Sequence, residues 1–113
     1  MDTQNTNLLE DGAVDYARRF GGIGRLYGPR ALERFGAAHV CVVGVGGVGS
    51  WIVEALARSA IGELTLIDLD NVAESNINRQ IQALTSTIGM PKIDALQRRI
   101  ADINPDCKVH LVE

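Results

Sequence analysis

Six consecutive residues, Gly44-Val45-Gly46-Gly47-Val48-Gly49, carry the densest chemical signal in this sequence. A G-x-G-G-x-G stretch that leaves an apolar run and enters a helix presents backbone N–H groups and a helix N-terminus to a phosphate. Side chains at those positions would block the approach. Asp68 ends a second apolar segment, 19 residues past Gly49, where a carboxylate accepts hydrogen bonds from ribose hydroxyls. Its plainer role is that of a turn-forming or capping acid. Glycines and an acid alone do not separate a dinucleotide from a nucleoside triphosphate, since both present a ribose and phosphates. The following segment discriminates. Asn76, Asn78, Arg79 and Gln80 form a donor-rich cluster after Asp70, and Lys92 stands in the first turn of a later helix. The planar fork of Arg and the compact cation of Lys suit a triphosphate whose charge rises at the α-phosphorus during displacement. The competing reading is a solvated loop followed by an ordinary helix-start lysine.

The elements that would position these groups follow from periodicity. Val40-Cys41-Val42-Val43 is a continuous apolar run ended by Gly44, the pattern of a strand buried on both faces of a parallel sheet. Val48 to Ala60 reads as a helix, with Trp51, Ile52, Ala55, Leu56 and Ser59 near helical spacing and Gly62 as its stop. Leu64 to Ile67 is a second strand, Asp70 to Asn78 a polar loop, and Arg79 to Leu84 a short helical piece. Pro91 opens a further helix whose Ile93, Leu96, Ile100 and Ile103 form one apolar stripe, closed by Asn104-Pro105. Val109 to Val112 is a third strand. Ahead of the first strand, a helix from Asp15 is expected to break at Gly21, Gly22 and Gly24, with Pro29 opening a short helix to Phe35. Residues 1–15 are polar and aperiodic and are expected to be flexible, leaving residues 16–113 as the domain. Strand, helix, strand, helix, strand with right-handed crossovers is the first half of an α/β, doubly wound parallel sheet, here preceded by a short helical arm.

Composition narrows the class. A chain of 113 residues, 46% hydrophobic with three prolines, suits one domain with a modest core. No apolar run reaches the length of a membrane-spanning helix, and Met1 to Asp15 holds no Lys or Arg, unlike a signal peptide; a cytoplasmic location is expected. A net charge of -3 argues against general nucleic-acid coating. Locally, Arg18, Arg19, Arg25, Arg30 and Arg34 face only Glu33, which reads either as a solvated helix face or as an anion-facing arm. Cys41 and Cys107 match no metal spacing or disulfide framework and are expected to be core or near-core thiols; no metal ligands are assigned.

The strings G-V-G-G-V-G-S, T-L-I-D-L-D-N-V, S-N-I-N-R-Q-I and G-M-P-K, in this order, resemble the ThiF/MoeB/HesA family, which is related to ubiquitin-activating enzymes. R-F-G-G-I-G-R-L-Y-G-P-R-A-L before the first strand, with R-Q-I-Q-A-L later, resembles the branch of that family containing the tRNA threonylcarbamoyladenosine dehydratases (TcdA/CsdL). The resemblance implies a Rossmann-like ATP-binding domain and adenylation of a carboxylate with release of pyrophosphate. In that branch the carboxylate belongs to the threonylcarbamoyl group at tRNA position 37, and ring closure then expels AMP. By motif, Gly44, Gly46, Gly47 and Gly49 become the phosphate and adenosine loop, Asp68 the ribose acceptor, and Asn76, Arg79 and Lys92 the triphosphate contacts. Asp70 would orient the loop or help place a cation. Arg25 resembles the family arginine that reaches a neighbouring subunit's nucleotide, so Arg79, Lys92 and Arg25 are the expected catalytic residues and a homodimer is implied.

ATP with Mg2+ is the implied cofactor pair, and tRNA and a cysteine desulfurase or sulfur-carrier system are the implied partners. The chain stops before the family's downstream magnesium-placing acid, any candidate catalytic cysteine and the substrate-binding part, so a fragment, a truncated gene product or one half of a split protein is expected, with an unpaired sheet edge that favours dimerisation or strand exchange. Two other readings stand beside this one: an NAD(P)-binding oxidoreductase domain, which leaves Asn76, Arg79 and Lys92 without a task, and a non-catalytic, dimerising nucleotide-binding remnant.

Overall fold

The computed structural model describes residues 14–113, so most of the segment expected to be flexible lies outside the described residues. The first helix of the described residues is α1 (Tyr16–Tyr27), capped by the Asp15 carboxylate, which accepts from the Arg18 N–H at 3.1 Å. Contrary to the sequence expectation, α1 runs unbroken through Gly21, Gly22 and Gly24. Phe20 is buried on its inner side, and the Arg19 guanidinium donates to the carbonyls of Asp102 and Ile103, so tertiary contacts outweigh the poor helix propensity of three glycines. The break comes at Gly28, whose φ of 95° turns the chain into α2 (Pro29–Ala37) with Pro29 in its first turn.

The sheet follows: β1 (His39–Val43), α3 (Gly49–Arg58), β2 (Glu63–Ile67), a single 3-10 turn at Glu74–Asn76, α4 (Lys92–Ile103) and β3 (Lys108–Val112). The strands pair in parallel in the order β1-β2-β3, with Val42 opposite Leu66 and Leu66 opposite Leu111. This is the α/β arrangement of a doubly wound half-sheet. Its core joins Val42, Leu64 and Leu66 of the sheet to Val53 and Ala57 of α3 and to Ile93, Leu96 and Ile100 of α4. Each of the large aliphatics there contributes about 1.5–3 kcal/mol by leaving water.

Period 2 places the alternate residues on the opposite face. There His39, Cys41, Val43, His110 and Val112 are exposed, and β1 is buried on one face rather than two. Cys41 is therefore a surface thiol and not the core thiol its apolar neighbours suggest, because no second helical layer covers that face among the described residues. Cys107 is half-buried against the core, as expected.

α3 buries a different face from the one read off its spacing: Ser50, Val53, Glu54 and Ala57 point inward, while Trp51 and Ile52 are exposed. It ends at Arg58, and the left-handed residue after it is Ala60, at φ 65°, not Gly62. The Ala60 and Ile61 N–H groups reach back to the carbonyls of Ala57 and Leu56, the pair of bonds that closes a helix end, and burial of Ile61 holds the strained alanine in place. Gly62 is required for another reason: a Cβ there would meet the Gly36 carbonyl oxygen. Glu54 is buried and receives the Arg58 and Arg99 Nε groups, each at 2.6 Å, tying α3 to α4. Burial pushes its carboxyl up, but the hydrogen bonds from Arg99 and Arg58 outweigh that and hold it below the ordinary range.

Candidate functional site

At the carboxyl end of β1 the chain turns at Gly44, with φ 84°, while the Gly44 N–H stays bound to the Ile67 carbonyl. Gly49, at the start of α3, packs so closely under this turn that a Cβ would fall 1.8 Å from the Gly44 oxygen. Gly46 and Gly47 meet nothing closer than the Gln80 side-chain nitrogen, 3.7 Å from a Cβ built at Gly46, so the outer rim of the loop is bare backbone. α3 has no side-chain cap, and the N–H groups of Gly46, Gly47, Val48 and Gly49 find no acceptor among the described residues. Four consecutive free donors at the positive end of a helix make a cradle for an anion.

Asp68 stands beside this loop. Its Oδ2 accepts the Val45 N–H at 2.9 Å and its Oδ1 the Asp70 N–H at 2.7 Å. The turn-forming role is therefore present. Each oxygen still has a second lone pair to offer a hydroxyl, so the two roles do not exclude one another. Asp70 orients the next element through its backbone: its carbonyl accepts the Lys92 N–H at 3.0 Å, and its carboxylate, 74% exposed, lies 4.0 Å from Lys92 Nζ. The Lys92 side chain is only 9% exposed. Among the described residues the ammonium makes no hydrogen bond and has only this distant, water-facing carboxylate beside it, which leaves it available to an anion.

The loop from Glu74 to Thr87 closes the site's other side. No helix forms over Arg79 to Leu84, because side chains take the backbone groups a helix would use. Thr87 Oγ1 donates to the Gln82 carbonyl at 2.6 Å and accepts the Leu84 N–H at 2.9 Å. Asn76 is buried with its Oδ1 accepting the Ala73 N–H at 2.9 Å, so its amide nitrogen is the part left for a ligand. Arg79 Nη1 donates to the Ser75 carbonyl and to Asn78 Oδ1, at 2.9 and 3.0 Å, leaving the rest of its fork exposed.

Two residues that sequence reasoning passed over fasten this loop to the glycine turn. Trp51 Nε1 donates to the Arg79 carbonyl at 2.9 Å, and the buried Gln82 Nε2 donates to the Val45 carbonyl at 3.1 Å. A buried glutamine inside R-Q-I-Q-A-L carries no periodic signal, and Trp51 reads from sequence as helix core.

Arg25 is not brought to this site. It lies on α1, its guanidinium folded back over Gly21 and Gly22. The helical arm meets the sheet at its other end, where the Gly62 N–H binds the Phe35 carbonyl and Arg19 binds the last turn of α4. A cavity of about 610 Å³ between α1 and α4 is lined by Arg19, Arg58, Arg98 and Arg99, but Glu54 and the helix carbonyls already engage three of these four guanidinium groups.

A parallel β-α-β half-sheet with an uncapped glycine turn at the strand ends, an acid just past the second strand and a lysine on the element that follows defines an α/β domain of the doubly wound class. The ThiF family pattern matches residues 16–113, and the chain belongs to that family. It is 57% identical over 99 residues to the tRNA threonylcarbamoyladenosine dehydratase of Haemophilus influenzae, covering 88% of this chain and 38% of that protein. The Escherichia coli dehydratase is 54% identical over 98 residues, covering 87% and 37%. A crystal structure of the Escherichia coli enzyme, TcdA, in complex with ATP superposes with a TM-score of 0.84 at 55% identity, covering 86% of this chain and 40% of that one. The chain thus spans about two fifths of the length of these relatives.

Proposed function

We propose that this chain is the ATP-binding portion of an enzyme that adenylates a carboxylate, acting in the cytoplasm in the dehydration of the threonylcarbamoyl group at tRNA position 37. The observation that carries the reading is the run of four N–H groups from Gly46 to Gly49 without an acceptor among the described residues, in a turn held by the Asp68 carboxylate, which also binds the Asp70 backbone that Lys92 meets. Support comes from the likeness to a dehydratase crystallised with ATP. Bound ATP would supply an α-phosphorus for attack by the carboxylate, with pyrophosphate as the leaving group.

The chain's own residues bind and orient. The glycine turn receives phosphate oxygens, Asp68 accepts from the ribose, and Lys92, Arg79 and the Asn76 amide counter the charge that grows as pyrophosphate departs. Mg2+ would accompany the triphosphate, and the exposed Asp70 carboxylate is the side chain here suited to share it. Arg25, remote from the glycine turn of its own chain, would act on the nucleotide of a second subunit in a homodimer. tRNA is the proposed macromolecular substrate, with a cysteine desulfurase or sulfur-carrier system as a further partner.

Calorimetric titration with ATP and Mg2+, and separately with NAD, tests the reading. Saturable ATP binding without NAD binding is expected. NAD binding without ATP binding would overturn it in favour of a dinucleotide domain, and silence from both would remove nucleotide binding from this chain.

A further inference from the structure

The sequence holds two histidines, His39 and His110, separated by 71 positions. The parallel register brings both onto the open sheet face beside one carboxylate. His39 pairs with Glu63 across β1 and β2, and His110 pairs with Thr65, the next residue of β2 on that face. His110 Nε2 lies 2.6 Å and His39 Nδ1 3.7 Å from Glu63 Oε2. One ligand atom from each of the three residues lies within 4.8 Å of the other two. The cluster sits at the amino-terminal end of the strands, while the glycine turn follows Val43. The intervening rise of β1 is about 13 Å at 3.3 Å per residue, so the two sites are separate.

We propose that His39, Glu63 and His110 form a binding site for a late first-row dication of the Zn2+ type. Two imidazoles and one carboxylate are the donor set that such ions prefer, and one that Mg2+ and Ca2+, which need shells of oxygen, do not. Three ligands at 2.0–2.2 Å around a tetrahedral ion stand about 3.4 Å from one another. The observed spacing brackets that value, and the side chains are 48%, 32% and 51% exposed, so small rotations suffice. The backbone beneath them is fixed by the ladder.

His39 is already set for ligation. Its Nε2 lies 2.6 Å from the Thr65 hydroxyl, and with the proton on that nitrogen the Nδ1 lone pair is turned toward Glu63. A partner on the far ring nitrogen is what orients metal-bound histidines. At His110, binding replaces the Nε2–H bond to Glu63, and the ring proton resides on Nδ1. The fourth position faces solvent and is filled by water.

The test is titration of the untagged 113-residue chain with ZnCl2 in a non-chelating buffer, with MgCl2 in parallel. One equivalent of Zn2+ is expected to bind, Mg2+ not at all, and the melting temperature should rise with Zn2+ alone. His39→Ala and His110→Ala should each weaken Zn2+ at least about tenfold, and Glu63→Gln, which keeps the shape of the side chain, should do likewise. Cys41→Ser combined with Cys107→Ser should leave the affinity unchanged, and Co2+ substitution should give a d–d spectrum without a thiolate charge-transfer band. Failure to saturate at millimolar Zn2+, affinity indifferent to both histidine substitutions, or loss confined to the cysteine variant would each overturn the site. ATP titration of the same variants should match the parent chain, since the glycine turn lies at the other end of the sheet.

Discussion

Lys92→Met separates what the lysine does for the fold from what it does for a ligand. Methionine keeps the unbranched stem that lies buried at the start of α4 and removes only the charge. The charge is worth little to the folded state. Among the described residues its one partner is Asp70, 4.0 Å away and 74% exposed, and two charges at that distance in water interact by about 1 kcal/mol before screening. Against that, a cation in the first turn of a helix opposes the macrodipole by about 0.3–1 kcal/mol. The two terms offset one another, so stability should move by less than about 1 kcal/mol.

Binding should respond differently. A charge-assisted hydrogen bond to phosphate contributes about 1.5–3 kcal/mol, which is a loss of about 10- to 150-fold in ATP affinity. Adenosine has no phosphate and should bind the variant as it binds the parent. The assay is calorimetric titration of both ligands, with urea unfolding of the ligand-free proteins. Equal weakening of ATP and adenosine would refute the phosphate contact. A fall in stability well above 1 kcal/mol would refute the claim that the charge is idle in the fold.

Three further outcomes follow from the same geometry. Asp68→Ala should weaken ATP and adenosine alike, since both carry the ribose, and should also lower stability by about 1.5–3 kcal/mol by freeing the Val45 and Asp70 N–H groups, read by urea midpoint. Gly49→Ala drives a methyl into the Gly44 carbonyl and should cost about 3 kcal/mol or more together with ATP binding; near-parental stability would mean that the turn can open. Glu54 sets an acid limb. Its folded pKa lies below 4.5, so its stabilisation is complete above pH 4.5 and is lost as pH falls from 4.5 through the folded value; Glu54→Gln should flatten that limb in pH-dependent melting and cost about 1–2 kcal/mol at neutral pH, the arginines being partly in water.

The parts of the fold legible in the sequence are those written in short-range pattern. The run from Val40 into Gly44, Pro91 with the Ile93, Leu96 and Ile100 stripe, and Asp68 at a strand end all stand where periodicity and turn chemistry place them. The misreadings share a cause, which is that partners distant in sequence decided the outcome. Burial of Phe20 and the Arg19 hydrogen bonds to the last turn of α4 hold a glycine-rich segment helical. Ile61 holds Ala60 left-handed. Thr87 diverts a segment of helical composition into turns by taking the Gln82 carbonyl and the Leu84 N–H. The histidine pair is the extreme case, because neither residue has a neighbour in sequence that marks it, and only the strand register unites them.

The site itself shows why its motifs are spelled with amides and carboxylates as well as cations. Asp68 uses one lone pair of each oxygen to hold the glycine turn and the start of the next loop. Asn76 uses its oxygen within the loop and keeps its nitrogen. Arg79 uses one nitrogen of its fork on Ser75 and Asn78. In each case one part of a multivalent group builds the loop and the remainder is left without a hydrogen bond among the described residues, so the loop is shaped without a ligand. A point charge such as Lys92 has no such division, and it is correspondingly the one group here whose removal should leave the fold intact. The ordering cost of the loop is thus met by the fold rather than by binding, which raises the share of contact energy that appears as affinity.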